Sequence, residues 1–590
     1  MTVVGFDFGT TNSLVSVVIG DNRAENLVDE TGRPVPSIVK YEGLRKVVGQ
    51  AAKDELDATD LGIHGSFVKS PKTYLGKETM TVEGVERSPI DVTHDVIEHV
   101  RKCALAVAEK ENYLSEITEA VATIPVNMNG RQRRDLRDAY NRSGIRVVQF
   151  VHEPFAALYG HFRPRMGTDF AHRFDRKNIL VVDWGGGTLD LTLCRLDSGR
   201  VVQLQNAGTS DLGGDHFDAA LRNWIVGRVV NDPSVIGWDR RRQLRHKCEQ
   251  LKIKLSEVER ATLYINNFHT ESGEPLKQVV TRDDLESIAK PMIDRAMDSI
   301  TALLDAAHLS GSQVSMCLVT GGMSQMPAIV SRLRELFGHR VEVSSNSATL
   351  VAQGAAWIAH DRQQLELAKD IEVRIARGSY FPLLKAGTRV PFEGQELVDD
   401  KLNLYCADPR DGHAKFQFCT PTRPGTDIPR TDPRDEFGAL RLNVDRRAQR
   451  LFERLTLTTK LDADGVVHIA AMSQLNGHRA STALYDLQFG ISLGSVKSDG
   501  GVAADPDPPT PAAEALHEIG SVVLRSNIAD KKDESYVPGD LELLSKQSGY
   551  FDRRYGKASQ MQIEERLYYQ PCARCKRMVN DPECRCGSRR

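Results

Sequence analysis

Residues 3–12 read VVGFDFGTTN, and residues 179–190 repeat the same design as ILVVDWGGGTLD. Each stretch begins with an apolar strand that ends in an aspartate and continues into a loop of glycines and threonines. Glycines allow a tight turn whose backbone N–H groups approach an anion closely, and threonine hydroxyls add hydrogen-bond donors. The repeat therefore predicts two related lobes that grip a phosphate group from opposite walls of a cleft.

A single loop of this kind is also compatible with an ordinary hairpin or bulge, so the argument depends on the pair. The sequence contains no G-x-x-x-x-G-K-[ST] run, which excludes a P-loop nucleotide site. No G-x-G-x-x-G opens a helix after a strand, which argues against a dinucleotide-binding fold.

Length and composition indicate an ordinary soluble protein of several domains. The chain has 590 residues and a formal net charge of −3, so no overall field favours nucleic acid or a membrane surface. A strand begins at residue 2, which leaves no room for a secretory signal, and no apolar run reaches the ~18 residues that span a bilayer. We expect a cytoplasmic protein with no membrane partner.

The pattern of apolar and polar residues changes along the chain. Alternating strand and helix patterns up to residue 360 predict α/β lobes, and the alternating strands of 378–492 predict a mostly-β domain with a hairpin at 455–471. The predicted organisation is 1–360 two-lobed α/β domain, 361–377 connector, 378–492 β-rich domain, 493–514 flexible linker, 515–571 short helices, and 572–590 cysteine-containing tail.

The cysteines form two groups. We expect the scattered ones to be reduced and mostly buried thiols: Cys103, Cys194, Cys248, Cys317, Cys406 and Cys419. The others form a C-x₂-C and a C-x-C near the end: Cys572, Cys575, Cys584 and Cys586. Four thiolates suit tetrahedral Zn²⁺, so the tail predicts a zinc knuckle, with a redox pair, reactive thiols or an unstructured tail as alternatives. Basic residues outnumber acidic ones in this tail. We therefore consider binding of nucleic acid or of an acidic partner for the tail, and not for the rest of the chain.

An ordered set of motifs resembles the heat-shock 70-kilodalton (DnaK-type) chaperone family. The resemblance covers residues 1–360 well and 378–490 more faintly. The motifs are DFGTTNS at 7–13, Lys72 with Leu75-Gly76, Glu153-Pro154, the loop 183–190, LGG at 212–214 with Phe217-Asp218, Glu249-x-x-Lys252-x-x-x-Ser256, and Gly321-Gly322-x-Ser324. The resemblance implies an actin-like two-lobed ATPase domain followed by a β-domain that binds polypeptide.

The same resemblance assigns roles to individual residues. It implies ATP or ADP between the lobes, with the water shell of Mg²⁺ held by Asp7 and Asp183. Its hydrolytic residues are Lys72, Glu153, Asp183, Thr188 and Asp190. Its nucleotide-binding residues are Gly9, Thr10, Thr11, Asn12, Lys72, Gly186, Gly187, Thr188, Gly213, Gly214, Glu249, Lys252, Ser256, Gly322, Met323, Ser324 and Gln325.

Spacing alone leaves simpler interpretations open for several of these residues. Lys72 is compatible with a solvated surface lysine, and Glu153 with a carboxylate that stabilises the start of the following helix. Glu249 and Lys252 also have the spacing of an ordinary i,i+3 ion pair on one helix face.

The sequence departs from the family in three places. Gln325 stands where the family places an arginine that stacks on adenine, and losing such a contact costs about 1 kcal/mol. Residues 370–373 are only a faint counterpart of the acidic, apolar interdomain connector, and no helical lid is recognisable after residue 492. We therefore expect weaker nucleotide binding and fast release of any bound polypeptide.

The function that we expect is ATP-dependent, chaperone-like binding of unfolded or extended polypeptide segments with slow ATP hydrolysis. The resemblance adds a J-domain co-chaperone and a nucleotide exchange factor as candidate partners. The main alternative is a nucleotide-gated scaffold for one dedicated partner. A small-molecule kinase is disfavoured because no residue in the predicted cleft suggests a base for a hydroxyl acceptor.

Overall fold

A computed structural model describes two stretches of the chain. They are residues 2–503, apart from 21–22, 29–31, 44, 57–60, 166–170, 198, 230–235, 237, 269–273, 345, 396, 424–427, 430, 486, 494 and 497–501, and residues 537–542. The chain divides into two units, of which the first runs to residue 365 and resumes at 490, and the second runs over 366–489 and includes 537–542. The tail 572–590, with its four cysteines, and most of 515–571 lie outside the described residues.

The first unit alternates strands and helices. Its strands are β1 (Val4–Phe8), β2 (Asn12–Ile19), β3 (Arg23–Leu27), β4 (Val35–Pro36), β5 (Ile38–Glu42), β6 (Arg45–Val48), β7 (Gly62–His64), β8 (Phe67–Lys69), β9 (Met80–Val82), β10 (Val85–Arg87), β11 (Glu119–Ile124), β12 (Arg146–His152), β13 (Lys177–Trp184), β14 (Leu189–Asp197), β15 (Arg200–Thr209), β16 (Arg260–Ile265), β17 (Leu276–Thr281), β18 (Val314–Thr320) and β19 (Val341–Val343). Its helices are α1 (Gln50–Glu55), α2 (Pro89–Lys110), α3 (Gly130–Arg142), α4 (Glu153–Phe162), α5 (Gly214–Val229), α6 (Trp238–Glu257), α7 (Arg282–Ala306), α8 (Pro327–Phe337) and α9 (Leu350–His360). Short 3₁₀ turns cover Pro71–Tyr74, Arg163–Arg165, Ala171–Phe174, Gly311–Gln313, Gly322–Gln325 and Gly338–Arg340.

Two sheets of this unit share one topology. The first has the order β12-β11-β1-β2-β3, and the second contains β19-β18-β13-β14-β15. In each, a first strand is antiparallel to its successor and parallel to a later strand: β1 pairs with β2 and β11, and β13 with β14 and β18. The two glycine loops occupy equivalent positions, at the first hairpin of each sheet. This mixed α/β arrangement, with two sheets of one topology, fits the prediction of two related lobes.

Small residues bring the helices α4 and α9 into close contact. A Cβ atom on Gly354 of α9 would lie 1.7 Å from the carbonyl oxygen of Ala156 in α4. A Cβ atom on Gly5 of β1 would lie 2.2 Å from the backbone nitrogen of Ala356 in α9. Because no side chain fits at either position, glycine is required for α9 to pack on both α4 and the strand that leads to the first loop.

The second unit is built from strands. They are β20 (Leu365–Leu367, which begins at the last residue of the first unit), β21 (Ile371–Ile375), β22 (Ser379–Leu384), β23 (Leu397–Cys406), β24 (His413–Pro421), β25 (Arg434–Asn443), β26 (Arg454–Leu461), β27 (Val467–Ser473), β28 (Arg479–Leu484) and β32 (Leu541–Glu542), with a 3₁₀ turn at Ala376–Gly378. Apart from β20, they form two sheets, ordered β22-β21-β24-β25 and β28-β27-β26-β23-β32. The predicted hairpin is confirmed: Leu461 pairs with Val467, and the Asp462 carboxylate accepts from the backbone N–H of Val466 at 2.9 Å.

The chain passes from the first unit to the second between residues 365 and 366, within the predicted connector, and returns to the first unit between residues 489 and 490. The alternating residues Ile371, Val373 and Ile375 of the predicted connector are buried in strand β21 of the second unit. After β28 the chain continues as β29 (Phe489–Ser492), β30 (Ser495–Val496) and β31 (Val502–Ala503). Residues 490–492 of β29 pair with 200–202 of β15, and so extend the second sheet of the first unit.

The scattered cysteines behave as expected. All six are free thiols; Cys103 is partly exposed and the others are buried. In the described part of the chain, no helix is long and apolar enough to cross a membrane.

Candidate functional site

The two glycine loops meet across the cleft of the first unit. A Cβ atom on Gly186 would lie 2.8 Å from Thr11 Cγ2, and one on Gly187 would lie 2.7 Å from Thr11 Oγ1. Glycine at these two positions therefore permits the close approach of the opposite loop. Thr11 Oγ1 is buried and has no hydrogen-bond partner among the residues that the structure describes. A buried hydroxyl of this kind is a donor that a bound phosphate oxygen would satisfy.

Serine side chains and backbone bonds fix the shape of both loops. Ser37 Oγ donates to the carbonyl oxygen of Gly9 at 2.8 Å, and Ser70 Oγ donates to that of Thr10. The Ser37 N–H donates to the carbonyl oxygen of Thr11 at 2.8 Å. This first loop continues into β2 at Asn12, whose side chain is exposed.

In the second loop, the bonds run to the segment that follows β15. The Gly185 N–H donates to the Thr188 carbonyl at 2.9 Å, and the Gly214 N–H donates to the Gly185 carbonyl at 3.1 Å. A Cβ atom on Gly213 would lie 2.4 Å from the carbonyl oxygen of Gly186. Gly213 and Gly214 thus pack directly against the second loop.

One lysine lies among the acidic residues at the strand ends. Lys72 is buried in the 3₁₀ turn Pro71–Tyr74, and its ammonium donates to the Phe8 carbonyl at 2.7 Å and to Glu153 Oε1 at 2.9 Å. Glu153 is the first residue of α4. The interpretation of Lys72 as a solvated surface lysine is wrong, because this side chain is 4% exposed.

Three aspartates complete the cluster. Asp7 and Asp183 are the next-to-last residues of β1 and β13, and Asp190 is the second residue of β14, directly opposite Asp183 in the hairpin. Burial and repulsion by Glu153 raise the pKa of Asp7 to about 6, although a hydrogen bond from Thr123 at 2.6 Å and the charge of Lys72 lower it.

The pKa values of the other two aspartates, Asp183 and Asp190, are raised as well. Burial and repulsion by Glu153 raise the pKa of Asp190 to about 6, against opposing effects of a Thr188 hydrogen bond and Lys72. Burial, with repulsion by Glu153, Asp190 and Asp7, raises the pKa of Asp183 well above its usual range. Carboxylates that repel one another in a buried site are stabilised by a cation, so this donor set fits a hydrated divalent metal ion.

A cavity of about 60 Å³ opens beside these carboxylates. Its lining includes Glu153, Asp183, Asp190, Asn127 and Asn206. Its polar walls and volume suit ordered water, which needs several hydrogen-bond partners. The site therefore offers a place for a water molecule within reach of groups that accept protons.

Helix α6 contributes the residues assigned to the purine and ribose. Lys252 is buried and donates to the Gly214 carbonyl at 3.0 Å and to Asp218 Oδ2 at 2.9 Å. Burial raises the pKa of Asp218 to about 6, although Lys252 lowers it. Glu249 accepts from Lys53 Nζ at 2.7 Å, so each member of the predicted i,i+3 pair binds a residue outside the helix. Ser256 Oγ donates to the Lys252 carbonyl at 3.3 Å.

The turn after β18 reaches the aspartates. Gly321 has φ +82°, and a Cβ atom there would lie 2.7 Å from Asp183 Oδ1, so glycine is required. In the following turn, Gly322–Gln325, Met323 Sδ lies 2.9 Å from the position of a Cβ atom on Gly214. Ser324 Oγ and Gln325 Nε2 both donate to Ser347 Oγ, each at 2.8 Å. The Gln325 amide is therefore held by the protein itself.

The motifs missed several polar residues that hold the site. Thr123 orients Asp7, and the ion pairs Lys69–Asp215 and Lys53–Glu249 join segments far apart in the chain. Thr123 is a polar residue inside the apolar strand β11, and this signal was available in the sequence. The two ion pairs had no such signal, because their partners are separated by 146 and 196 residues.

Comparison with known proteins agrees with this geometry. The family model described as Hsp70 protein matches residues 3–61 and 66–372. The chain belongs to the Hsp70 family. Over 383 residues it is 29% identical to a protein named "Chaperone protein dnaK" from Phaeodactylum tricornutum (strain CCAP 1055/1), an alignment that covers 60% of each chain. This Hsp70-family chain thus spans about 60% of the length of the curated relative that it matches, and the residues matched by the family model include the two glycine loops.

Proposed function

We propose that this protein is an ATP-dependent, chaperone-like protein that binds extended or unfolded polypeptide segments under the control of ATP binding and hydrolysis. The observation that supports this most is the pair of equivalent loops that face each other above a buried cluster of aspartates. Membership of the Hsp70 family, whose members are ATPases, and the separate β-rich unit support the same function.

The nucleotide phosphates would bind between the loops 9–12 and 186–188. Thr11 Oγ1, which lacks a protein partner, would donate to a phosphate oxygen. Within the described residues, no three His, Cys, Asp or Glu side chains converge closely enough to ligate a metal ion directly. Asp7 and Asp183 would instead hold Mg²⁺ through its water molecules, and bound Mg²⁺ would supply neutralisation of the phosphate charge.

Hydrolysis of ATP to ADP and phosphate needs a water molecule held in line with the bond that breaks. The cavity beside Glu153 and Asp190 would hold this water, and the two carboxylates with Thr188 would orient it. The raised pKa of Asp190, about 6, suits a group that accepts a proton near neutral pH. Lys72, fixed by Glu153 and the Phe8 carbonyl, would stabilise the charge of the transferred phosphoryl group.

Other parts of the proposal rest on the family and on the sequence. A J-domain co-chaperone and a nucleotide exchange factor are the partners that an Hsp70-type cycle requires, and the cytoplasm is the expected compartment. For the tail, we propose one structural zinc ion bound by its four cysteines. Metal analysis of the purified chain that finds less than about half an equivalent of zinc would remove this site.

A pair of aspartates on one strand tests the catalytic assignment. Asp190 is the second residue of β14 and lines the cavity, and Asp197 ends the same strand. Asp190→Asn should slow single-turnover ATP hydrolysis by roughly 10²-fold or more, because the oriented water loses its acceptor. Asp197→Asn should leave the rate unchanged. Equal rates for both variants and the wild type would exclude Asp190 from the reaction.

Peptide binding separates a chaperone from a dedicated scaffold. A chaperone should bind many unrelated apolar peptides, and more weakly with ATP than with ADP. Fluorescence anisotropy with a set of such peptides in both nucleotide states measures this difference. A protein that ignores all of them, yet hydrolyses ATP, would be a nucleotide-gated scaffold.

A further inference from the structure

The cavity beside the hydrolytic carboxylates is lined on one side by a face of the second sheet of the first unit. Strand register places two rows of residues on this face, and both rows line the cavity: Asp183, Asp190 and Gly208 nearer to the second loop, and Val181, Thr192 and Asn206 behind them. Residues two apart on a strand share a face and lie about 7 Å apart along it. The cavity therefore extends from the carboxylates away from the glycine loop.

The other side of the cavity comes from the first lobe. It includes residues 125–127, which follow β11, and Glu153 at the start of α4. Asn127 on this side and Asn206 on the facing strand β15 are both exposed, whereas Thr192 on the inner strand β14 is 4% exposed. The cavity thus opens to solvent at its two asparagines and ends inside at the carboxylates.

The volume and the lining of the cavity suit a short chain of water molecules. Its volume of about 60 Å³ holds about four of them, at roughly 15 Å³ each. The amides of Asn127 and Asn206 and the hydroxyl of Thr192 offer hydrogen bonds on the way to the carboxylates. The same carboxylates repel an anion, so the cavity admits water and protons more readily than phosphate.

Gly208 leaves free the space that the Asp190 carboxylate occupies. A Cβ atom on Gly208 would lie 2.8 Å from Asp190 Oδ1 and 3.3 Å from the Leu189 carbonyl oxygen. The φ angle of Gly208 is not positive, so its backbone conformation does not require glycine. Glycine at this position is therefore explained by the carboxylate beside it, and not by a turn.

We propose that this cavity is a solvent passage that connects Asp190 with the outside while the nucleotide occupies the cleft between the loops, and that Gly208 and Asn206 are positioning residues that keep it open and hydrated. The inference deepens the proposed function and rests on it. In the reaction, the water oxygen bonds to the γ-phosphorus, and the bond from this phosphorus to the bridging oxygen breaks, with its electron pair left on ADP. The proton of the water passes to the Asp190 carboxylate and from there to the water in the passage.

Thiol labelling of the full-length chain without nucleotide tests the passage. The reagent is a small cationic methanethiosulfonate, and mass mapping follows each cysteine separately. The thiol introduced by Thr192→Cys should react roughly tenfold faster, or more, than Cys194, which lies two residues farther along β14 and is fully buried. Adding Asn206→Trp, which fills the opening, should slow this reaction roughly fivefold or more. The matched control Ser210→Trp, at an exposed residue outside the cavity lining, should not slow it. A thiol that reacts no faster than Cys194, or that does not respond to Asn206→Trp, would overturn the passage.

Single-turnover ATP hydrolysis tests the use of the passage in the reaction. Gly208→Ala should displace the Asp190 carboxylate and slow hydrolysis roughly tenfold or more, while the dissociation constant of MgATP stays within about twofold of the wild-type value. Gly227→Ala adds the same methyl group to a helical glycine with open space around it and should keep the wild-type rate. In an Asp190→Asn background, Gly208→Ala should cause no further slowing, because both changes act on the same carboxylate.

A wild-type rate for Gly208→Ala, or a further loss in the Asp190→Asn background, would overturn the positioning role of Gly208. Absence of ATP hydrolysis in the wild type would instead contradict the proposed function. The labelling rates are measured without nucleotide, so they decide whether the passage exists in either case.

Discussion

Replacement of Lys72 by methionine removes one buried positive charge and keeps most of the side-chain volume. The ammonium makes a hydrogen bond to the Phe8 carbonyl and an ion pair with Glu153, and it lowers the pKa of Asp7, Asp183 and Asp190. Breaking a buried pair costs about 3–5 kcal/mol because the remaining charge is uncompensated. We expect a loss of this size in the free energy of unfolding at pH 8.

The loss of unfolding free energy in Lys72→Met should be larger at pH 8 than at pH 5. The folded-state pKa of Asp7 and of Asp190 is about 6, above the ordinary value of 3.8, so their contribution to stability is present at low pH and disappears as pH rises through 6. Without Lys72 both pKa values rise further. At pH 5 these carboxyls are mostly protonated in either protein, and the difference in unfolding free energy should therefore be smaller than at pH 8.

Tryptophan fluorescence during urea unfolding measures this difference in the first unit alone. All four tryptophans lie there, and Trp184, at the end of β13, is fully buried. Lys77→Met is the matched control, since Lys77 is exposed and its ammonium lies over the Tyr74 ring, a contact of about 0.5–1 kcal/mol. The reasoning is refuted if the free energy of unfolding of Lys72→Met is within about 1 kcal/mol of the wild-type value at pH 8. It is also refuted if the difference between the two proteins is the same at pH 5 as at pH 8.

Three further predictions concern binding and packing. Binding of MgATP near pH 6 should release about one proton, and almost none at pH 8, because the cation lowers the pKa of Asp7 and Asp190 from about 6; calorimetry in two buffers measures this, and no release at pH 6 would contradict it. Gln325→Arg should tighten ATP binding roughly fivefold in a titration, since a stacked guanidinium contributes about 1 kcal/mol, and an unchanged dissociation constant would show that this position does not face the base. Gly354→Ala should destabilise the first unit by about 3 kcal/mol or more, because its Cβ would lie 1.7 Å from a carbonyl oxygen of α4, whereas Gly227→Ala, at a helical glycine with open space around it, should be neutral or slightly stabilising; similar unfolding midpoints would disprove the packing argument.

Local patterns were sufficient for the elements that carry the site. The strand that ends in an aspartate and turns at glycine is encoded within about ten residues, because side-chain alternation and backbone freedom are short-range properties. The same holds for α3 with its capping box at Asn129 and Gln132, and for the hairpin around Asp462. The repetition of one local pattern also led to the two-lobed topology.

Local sequence patterns did not predict which residues pair with the buried charges. Glu249 and Lys252 have the spacing of an ion pair, yet they bind Lys53 and Asp218, which reach them from other elements. Spacing along a helix determines which side chains share a face, whereas the partner of a buried charge depends on which element packs against that face.

The amino-acid pattern by itself defined the two loops, the α/β and β-rich regions and the chemical class of the site. Folding in three dimensions determined the rest: the burial of Lys72 beside Glu153, the addition of residues 490–492 to β15, and the pairing of β32 with β23. The physical reason is that backbone conformation responds to neighbouring residues, while an edge strand or a buried charge accepts any partner that satisfies its hydrogen bonds, however distant in the chain.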